Sequence, residues 1–249
     1  MSGLSRYLAV LRLLGDERPH MTVPEIAQAL NTPTSSVYRT VRELLADGFL
    51  EASVENKYRL GPAIIEFDRR VRLSDPLIRT GERFLPQLAE QVRVPCLVSL
   101  CRLYGETVMC IADFHHPAVD FVSSYERGRP MPLLRGATSK IILAYMPTRK
   151  LQRLLRTHLA TEDEYEAVKA ELAALRRVDY CITRGEVDPG LIGIAAPIHD
   201  PNLGINASIT VIAKQSDLNG ELAMQVLPFL VSTAKIINDL MSKSSIPGL

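Results

Sequence analysis

Residues 32–48, TPTSSVYRTVRELLADG, are the most informative stretch of the chain. Thr32 and Pro33 are typical of a helix N-cap and first helical position, and Gly48 is a natural C-terminal stop. At about 100° per residue, one face of this helix is apolar and the opposite face is polar. The apolar face holds Val37, Val41, Leu44 and Leu45; the polar face holds Ser35, Arg39 and Arg42, flanked by Ser36 and Tyr38.

The segments on either side complete a recognisable unit. Upstream, TVPE at residues 22–25 has the form of a capping box, in which the hydroxyl of Thr22 and the carboxylate of Glu25 satisfy each other's backbone amides. Downstream, residues 49–60 alternate like a β-hairpin, with Glu55 and Asn56 at the turn. Two short helices followed by a hairpin predict a winged helix-turn-helix domain over residues 1–61.

The polar face of the helix at 32–48 suits double-stranded DNA. Helix N-terminal amides and hydroxyls bind phosphate, and Arg binds phosphate or guanine. The predicted DNA-binding residues are Thr34, Ser35, Ser36, Tyr38, Arg39 and Arg42 on the helix, with Lys57 and Arg59 on the hairpin. The alternative is an ordinary solvated helix face. Bacterial operators are usually read by dimers, so we expect at least a homodimer, in contact through the first helix and residues 63–72.

The remaining chain predicts an α+β protein. Residues 62–75 form a helical linker with a charged cluster, and residues 76–249 form a second domain of a sheet with helices. The predicted strands are 96–103, 107–114, 119–125, 180–183, 191–198 and 205–213. The predicted helices of this domain run from 76 to about 91, from 136 to about 145, and over 149–158, 162–177 and 220–242, and residues 127–135 are a loop.

Composition narrows the class of protein. The net charge is +1, which excludes a uniformly basic nucleic-acid binder but allows a local basic surface. The four cysteines include no Cys-x-x-Cys pair, and three lie in apolar runs, which favours buried small hydrophobes over zinc ligands. The adjacent pair His115–His116 lacks converging ligands and no Walker or Rossmann glycine pattern appears, so we expect no metal and no cofactor. No signal peptide and no run long enough to cross a bilayer is expected, so the protein should be cytoplasmic.

The chain is similar to the IclR family of bacterial transcriptional regulators over nearly its whole length and in the same order. In the N-terminal part the matching stretches are 23–30, 35–45, 47–51 and 57–61. In the C-terminal part they are GRPMPL at 128–133, GATSKIILA at 136–144, Glu186, Gly190, IAAPI at 194–198 and NASITV at 206–211. The resemblance implies a winged helix, a linker helix and a GAF-like effector domain with an antiparallel sheet. It also implies homodimers that often pair into homotetramers, as dimers of dimers.

The same resemblance implies a small organic acid as effector. Carried over, the effector-binding residues are Leu133, Gly136, Ala137, Thr138, Gly193, Thr210 and Ile212. The helix start at Gly136 is a ready anion site, and Arg129, Arg135 or Arg184 would pair with a carboxylate. The chain departs from the family pattern at Arg184, Ser139 and Ile212. These departures favour a bulkier effector with an apolar body, such as an aromatic carboxylate.

The sequence therefore predicts a non-enzymatic, ligand-responsive repressor or activator. The ligand would shift the two winged helices of a dimer through residues 63–91, because a ligand acts as a switch only when it binds one arrangement better. Two alternatives remain. A GAF-like domain with Cys96, Cys101 and Cys110 could be a thiol-dependent redox enzyme, and a packed second domain without a cavity would indicate a ligand-independent DNA-binding protein.

Overall fold

The structure is a computed structural model that describes residues 3–15 and 17–244. The chain divides into two units, Met1–Ser74 and Asp75–Leu249. The helix predicted as a linker at residues 62–75 belongs almost entirely to the first unit. Its elements are α1 (Gly3–Leu13), β1 (Met21–Thr22), α2 (Val23–Ala29), α3 (Thr34–Ala46), β2 (Leu50–Ala52), a 3₁₀ turn (Val54–Asn56), β3 (Lys57–Leu60) and α4 (Pro62–Ser74).

The three-helix core of the first unit follows from its apolar spacing. Helix α2 begins at the predicted capping box, in which the amide of Thr22 donates to Glu25 at 2.7 Å and the amide of Glu25 donates to the Thr22 hydroxyl at 3.4 Å. The core residues of these helices are Val10, Val23, Ile26, Ala27, Val37, Val41 and Leu44. The predicted apolar face of α3 is thereby confirmed, although Leu45 is only half-buried.

The predicted cap of α3 is wrong by one residue. Its N-cap is Pro33, which has no side chain to accept a hydrogen bond, and the helix begins at Thr34. The hydroxyl of Thr32 donates instead to the carbonyl of Leu30 at 3.1 Å. That bond stabilises the tight turn between α2 and α3, so the hydroxyl serves the turn rather than the helix.

The predicted hairpin is present. Strand β3 lies between β1 and β2, and Leu50 pairs with Leu60 and Ala52 with Tyr58. Glu55 and Asn56 have left-handed backbone conformations, with φ of 58° and 56°, as a tight connection requires. Together with α2 and α3, the hairpin makes a winged helix-turn-helix.

The second unit is an antiparallel sheet between two layers of helices. Its helices are α5 (Pro76–Gly81), α6 (Phe84–Val92), α7 (Ala137–Ala144), α8 (Thr148–His158), α9 (Glu162–Val178) and α10 (Gly220–Ser244). Its strands are β4 (Cys96–Tyr104), β5 (Thr107–His115), β6 (Pro130–Met131), β7 (Cys181–Arg184), β8 (Leu191–Asp200) and β9 (Ile205–Lys214), in the spatial order β6-β5-β4-β9-β8-β7.

The alternation of β8 and β9 assigns each sheet face to a different set of helices. On one face, Ile194, Ala196, Ile209 and Val211 join the core made with α5, α6 and α10. On the other face, residues two apart from one another, such as Thr210 and Ile212, lie beneath α7. The predicted effector residues of β8 and β9, Gly193, Thr210 and Ile212, therefore lie on the α7 face.

Three predicted elements of the second unit were wrong. Residues 119–125 are a loop, because Ser123 and Ser124 hydrogen bond to Asp188 and not to a neighbouring strand. Pro130–Met131, predicted as loop, form β6 and pair with β5. The single helix at 76–91 is two helices, α5 and α6, which are separate elements in the structure.

Helix α10 bears on the expectation that no segment could cross a membrane. By length and composition alone, Gly220–Lys243 is apolar enough to do so. Its inward face is packed against the sheet, with Ala223, Val226, Leu230, Ala234 and Ile237 buried. We therefore interpret α10 as a core helix of the second unit.

The close approach at Gly61 provides a test of this fold. A Cβ at Gly61 would lie 2.3 Å from the carbonyl oxygen of Gly48 and 2.8 Å from the backbone of Leu50. We expect Gly61→Ala to lower the free energy of unfolding of the first unit by about 1–3 kcal/mol, because backbone must move to admit the methyl group. Chemical denaturation followed by circular dichroism would measure this. Gly15→Ala is the control, since a Cβ there meets nothing within 4 Å.

Candidate functional site

The exposed face of α3 carries unpaired cations. Thr34, Ser35, Tyr38, Arg39 and Arg42 are all exposed, and Ser36 is half-buried. Within residues 3–15 and 17–244, neither Arg39 nor Arg42 has an ion pair or hydrogen bond through its guanidinium group. A groove of about 450 Å³ runs along this face, lined by Ser35, Tyr38, Arg39, Arg42 and, from the hairpin, Tyr58. The arrangement offers free guanidinium groups on a helix anchored by its other face.

The cations of the hairpin differ from those of α3. The ammonium of Lys57 lies 3.1 Å from the carboxylate of Glu55, and Arg59 forms an ion pair with Glu51, its register partner on β2. A phosphate must compete with these carboxylates before it pairs with either hairpin cation. The structure therefore distinguishes two free cations on α3 from two neutralised cations on the hairpin.

A buried polar cluster lies beneath the start of α7. The hydroxyls of Thr138 and Thr210 are 2.9 Å apart, and both residues are buried. Tyr125 also hydrogen bonds to Thr138, and burial raises the pKa of Tyr125 above its usual range. Two residues along β9, the hydroxyl of Ser208 is buried without a partner among the described residues. A buried hydroxyl without a hydrogen-bond partner costs free energy, so Ser208 gives this cluster one hydrogen-bonding group that is available to a ligand.

The N-terminus of α7 is occupied by side chains of the same unit. The amide of Gly136 donates to the carboxylate of Glu186 at 2.9 Å, and the amide of Ala137 donates to the Thr183 hydroxyl at 3.0 Å. Lys140 contacts the other oxygen of Glu186 at 2.9 Å. Burial raises the pKa of Glu186, but the Gly136 hydrogen bond and Lys140 outweigh it, and the net shift is downward. The start of α7 therefore binds an anion, and that anion is the protein's own Glu186 carboxylate.

A second carboxylate, that of Asp188, joins the loop at 185–190 to the loop at 121–126. Asp188, two residues after Glu186, accepts from the Ser124 amide at 2.8 Å and from the Ser123 hydroxyl at 3.1 Å. The cavity under this closure, lined by residues that include Tyr125, Thr183, Glu186, Gly193 and Ile212, has a volume of about 20 Å³. That is room for one water molecule, so an organic acid can enter only if the loop at 185–190 moves.

The structure brings most of the predicted effector residues together. Gly193 lies under the helix start, where a Cβ would be 3.7 Å from both Ala137 and Thr183. Leu133 packs against the cluster that contains Tyr125 and Ile212. The residues of this group are Leu133, Gly136, Ala137, Thr138, Gly193, Thr210 and Ile212.

Two predicted arginines lie apart from this group. Arg184 is exposed and alternates with the buried Thr183, so it points to the opposite sheet face, where its Nη2 approaches Gly220. Arg129 is exposed and lies 3.9 Å from Glu126. The cations that do reach the helix start are Lys140 and Arg135, which bonds to the carbonyl of Glu186.

Sequence reasoning missed four residues of the site. Glu186, noted only as a family match, and Asp188 lie more than forty residues after α7, and Tyr125 lies on the loop before it; no local pattern places a loop side chain at a helix end. Ser208 could have been found, because it is two residues before Thr210 on a strand and therefore shares its face.

The cysteines do not have the environment of reactive thiols. Cys96, Cys101, Cys110 and Cys181 are all buried and free. Burial raises the pKa of Cys96 and of Cys181 to about 12, and contact with Cys101 together with burial raises that of Cys110 further. A nucleophilic thiol needs a lowered pKa and access. Among the described residues no group of three or more His, Cys, Asp or Glu side chains could hold a metal ion.

Comparison with known families agrees with this two-part architecture. Residues 3–53 match the IclR helix-turn-helix domain, and residues 73–239 match the domain described as bacterial transcriptional regulator IclR C-terminal. A helix-turn-helix domain joined to a curled antiparallel sheet domain is what the structure shows. The chain belongs to the IclR family of bacterial transcriptional regulators, and the helix-turn-helix domain implies binding to DNA.

Two curated relatives are similar over almost the whole chain. The Pca regulon regulatory protein of Pseudomonas putida is 24% identical over 245 residues, which cover 94% of this chain and 82% of that protein. The p-hydroxybenzoate hydroxylase transcriptional activator of Acinetobacter baylyi is 26% identical over 254 residues, which cover 96% and 92%. Both names describe transcriptional regulators.

Solved structures share the fold. An IclR transcriptional regulator from Alicyclobacillus acidocaldarius matches with a TM-score of 0.82 and 22% identity, covering 97% of this chain and 99% of that one. An IclR homologue from Microbacterium hydrocarbonoxydans, solved in complex with 4-hydroxybenzoate, matches with a TM-score of 0.81 and 21% identity, covering 96% and 99%. The α+β fold expected from the sequence is confirmed.

The difference between the α3 and hairpin cations leads to a graded prediction. We expect Arg39→Ala to weaken binding to a short DNA duplex by roughly tenfold or more and to reduce the slope of affinity against salt by about one. Arg59→Ala should have a smaller effect, because Arg59 must first leave Glu51. Fluorescence anisotropy at several salt concentrations would measure both. Equal losses in the two variants, or none in Arg39→Ala, would show that α3 does not carry the main contact.

Proposed function

We propose that this protein is a dimeric transcriptional regulator whose DNA binding is modulated by a small aromatic carboxylic acid. The observation that carries the proposal is the buried group of Tyr125, Thr138, Ser208 and Thr210 beneath a helix N-terminus. Small-molecule sites are typically apolar pockets that contain a few hydroxyls or other polar groups. The group lies in a chain whose first unit presents a helix with free arginines.

The predicted contacts with DNA follow from the exposed face of α3. Thr34, Ser35 and Ser36 would contact phosphate at the helix N-terminus, and Tyr38, Arg39 and Arg42 would reach the bases or the adjacent backbone. Lys57 and Arg59 would contact phosphate from the hairpin after exchange of their carboxylate partners. These assignments rest on exposure and on the absence of competing partners for the α3 cations within the described residues.

The chemistry around α7 favours an acid as the effector. Glu186 shows that a carboxylate is stable against the Gly136 amide and the Lys140 ammonium. The carboxylate of the effector would replace that of Glu186. The aromatic ring of the effector would then lie among Leu133, Val187 and Ile212, which belong to the surrounding apolar cluster. The relatives named for the Pca regulon and for p-hydroxybenzoate hydroxylase, and the homologue bound to 4-hydroxybenzoate, support an aromatic acid.

Exposed apolar side chains of the first unit favour self-association. On α1, Leu4 and Leu8 are exposed, and on α4, Ile65, Val71 and Leu73 are exposed. Apolar groups concentrated on two helices mark an interaction surface rather than scattered exceptions. A second copy of the chain, meeting through these helices, would place two α3 helices for two half-sites. The chain would act in the cytoplasm, where the DNA is.

The two alternatives from the sequence receive less support. A thiol-dependent enzyme would need a reactive cysteine, and the thiols of Cys96, Cys110 and Cys181 have raised pKa values. A ligand-independent DNA-binding protein would have no reason to bury the unpaired hydroxyl of Ser208. We therefore propose that the protein is not an enzyme and that the second unit is a sensor.

The effector proposal is tested by titrating 4-hydroxybenzoate, benzoate and an aliphatic control into the purified protein. We expect an aromatic acid to raise the midpoint of thermal unfolding and to change the affinity for operator DNA, because a ligand specific for one folded state stabilises that state. Binding that leaves DNA affinity unchanged at saturation would contradict regulation. No binding of any aromatic acid would remove the effector class but leave DNA binding intact.

Ser208→Ala separates a ligand-binding hydroxyl from a structural one. Because this hydroxyl is buried without a partner, we expect its removal to leave the free energy of unfolding unchanged or slightly higher. Affinity for the aromatic acid should fall by about fivefold to tenfold, the cost of one hydrogen bond. Isothermal titration calorimetry and denaturation measure the two quantities. Lower stability with unchanged affinity would make Ser208 a structural residue only.

Glu186→Gln tests whether the internal carboxylate competes with the effector. We expect tighter binding of the acid, because an uncharged amide holds the Gly136 amide and Lys140 less strongly than a carboxylate. The ligand-free protein should be less stable at pH 7. Folding lowers the pKa of Glu186, so its contribution is present above its ordinary pKa and is lost as the pH falls below about 4.

The pH dependence supplies the control for this variant. The stability difference between wild type and Glu186→Gln should therefore disappear in acid. A difference that persists at low pH, together with unchanged acid affinity, would show that Glu186 only supports the fold.

A further inference from the structure

A larger cavity lies at the far end of the same sheet face. It has a volume of about 360 Å³ and is lined by Leu103, Met146, Pro147, Lys150, His199 and Asn206, among others. It shares no lining residue with the closed site under the start of α7, and His199 is six residues along β8 from Gly193, about 20 Å of extended strand, although Asn206 is only two residues along β9 from Ser208. The cavity is therefore separate from the closed site under the start of α7, and it is large enough for a small organic molecule without movement of the loop at 185–190.

Two facing residues of this cavity carry buried polar atoms without partners. His199 and Asn206 are register partners on β8 and β9. Neither Nδ1 of His199 nor Oδ1 of Asn206 has a hydrogen-bond partner among the described residues. The Asn206 amide is fixed in orientation, because its Nδ2 donates to the carbonyl of Ile142 at 3.0 Å. Its unpaired atom is therefore an acceptor.

The unpaired atom of His199 is an acceptor as well. Burial, assisted by the nearby charge of Arg176, lowers the pKa of His199 below its usual range, so the ring is neutral at pH 7. Its other nitrogen hydrogen bonds to the backbone of Ile205, which leaves Nδ1 without a proton. The cavity thus has two adjacent acceptors that no donor of the described residues reaches.

The imidazole has room to turn toward a ligand. A second hollow of about 190 Å³ also contacts His199 and is lined by Tyr145, Asp179, Lys235 and Asn238. The side chain of Asn238 holds the backbone amide of His199 at 3.0 Å, so the strand is fixed while the ring has free volume around it. A ring rotation that brings Nδ1 to a ligand would exchange the Ile205 hydrogen bond for one to the ligand, without moving β8.

The opposite wall supplies one positive charge. Lys150, in the first turn of α8, is exposed, and its ammonium has no ion pair within residues 3–15 and 17–244. The rest of the wall is largely apolar, with Leu103, Met146 and Pro147. A ligand that matches these groups would have a carboxylate to pair with the Lys150 ammonium and a short apolar body to contact the wall. It would also have a hydroxyl or amine to donate hydrogen bonds to His199 and Asn206.

We propose that this cavity is a second ligand site and that it binds a small aliphatic carboxylate bearing a hydroxyl or amino group. The proposal does not depend on the identity of the effector at α7. It gives the second unit two sites on one sheet face, which differ in the chemistry of the acids that they accept.

The experiment compares 3-hydroxybutyrate with butyrate, which differ only in the hydroxyl donor, by isothermal titration calorimetry on the full chain. We expect 3-hydroxybutyrate to bind at least tenfold more tightly than butyrate, because only its hydroxyl pairs with the buried acceptors. Lys150→Gln and Asn206→Leu should each weaken binding of 3-hydroxybutyrate at least fivefold. Thr138→Val, in the other site, should leave its affinity unchanged.

Lys150→Gln keeps the test decisive if Asn206→Leu fails to fold, because Lys150 is exposed and its replacement does not disturb the core. Equal affinity for the two acids, or no measurable binding of either, would overturn the proposal. So would binding that is lost in Thr138→Val and kept in Lys150→Gln, because the probe would then occupy the site at α7. These outcomes are independent of whether an aromatic acid regulates DNA binding.

Discussion

The second unit depends on how the N-terminus of α7 is satisfied. A helix begins with amides that have no partner within the helix, and a buried helix end requires substitutes. Here Glu186 and Thr183 bind the amides of Gly136 and Ala137, and Lys140 balances the charge of Glu186. Gly136 has φ of 84°, and a Cβ at this position would lie 2.6 Å from the Tyr125 hydroxyl. Both constraints require glycine at the turn that leads into α7.

The same contacts close the candidate effector site. Asp188 fixes the loop at 121–126 and Glu186 fixes the helix, and the two carboxylates are only two residues apart on one short loop. A ligand that replaces Glu186 must therefore disturb the segment that also holds Asp188. A local exchange of one carboxylate for another is thus linked to the position of two loops, which is how a small molecule can select one conformation of a domain.

Much of the fold could be predicted from local sequence. The capping box at Thr22, the apolar face of α3 and the turn at Glu55–Asn56 depend on residues that are close in the chain. The failures have a common cause. Residues 119–125 alternate like a strand, but their partner is Asp188, more than sixty positions away, and Arg184 was assigned to the site without knowledge of which sheet face it occupies. The lining of a site by distant loops is not encoded in local periodicity.

The neutral hairpin affects how this protein would find its target. A protein that searches a chromosome spends most of its time on incorrect sequences, held there by charge alone. Glu51 and Glu55 form ion pairs with Arg59 and Lys57, so the hairpin would add little to non-specific electrostatic attraction. It would contribute only when it is close enough to the DNA backbone for phosphates to replace the two carboxylates. With the proposed DNA contacts, residence on incorrect sites would be shortened, while Arg39 and Arg42 would remain available to hold the correct one. In that proposal, the acidic residues of the wing would favour rapid scanning over tight non-specific adhesion.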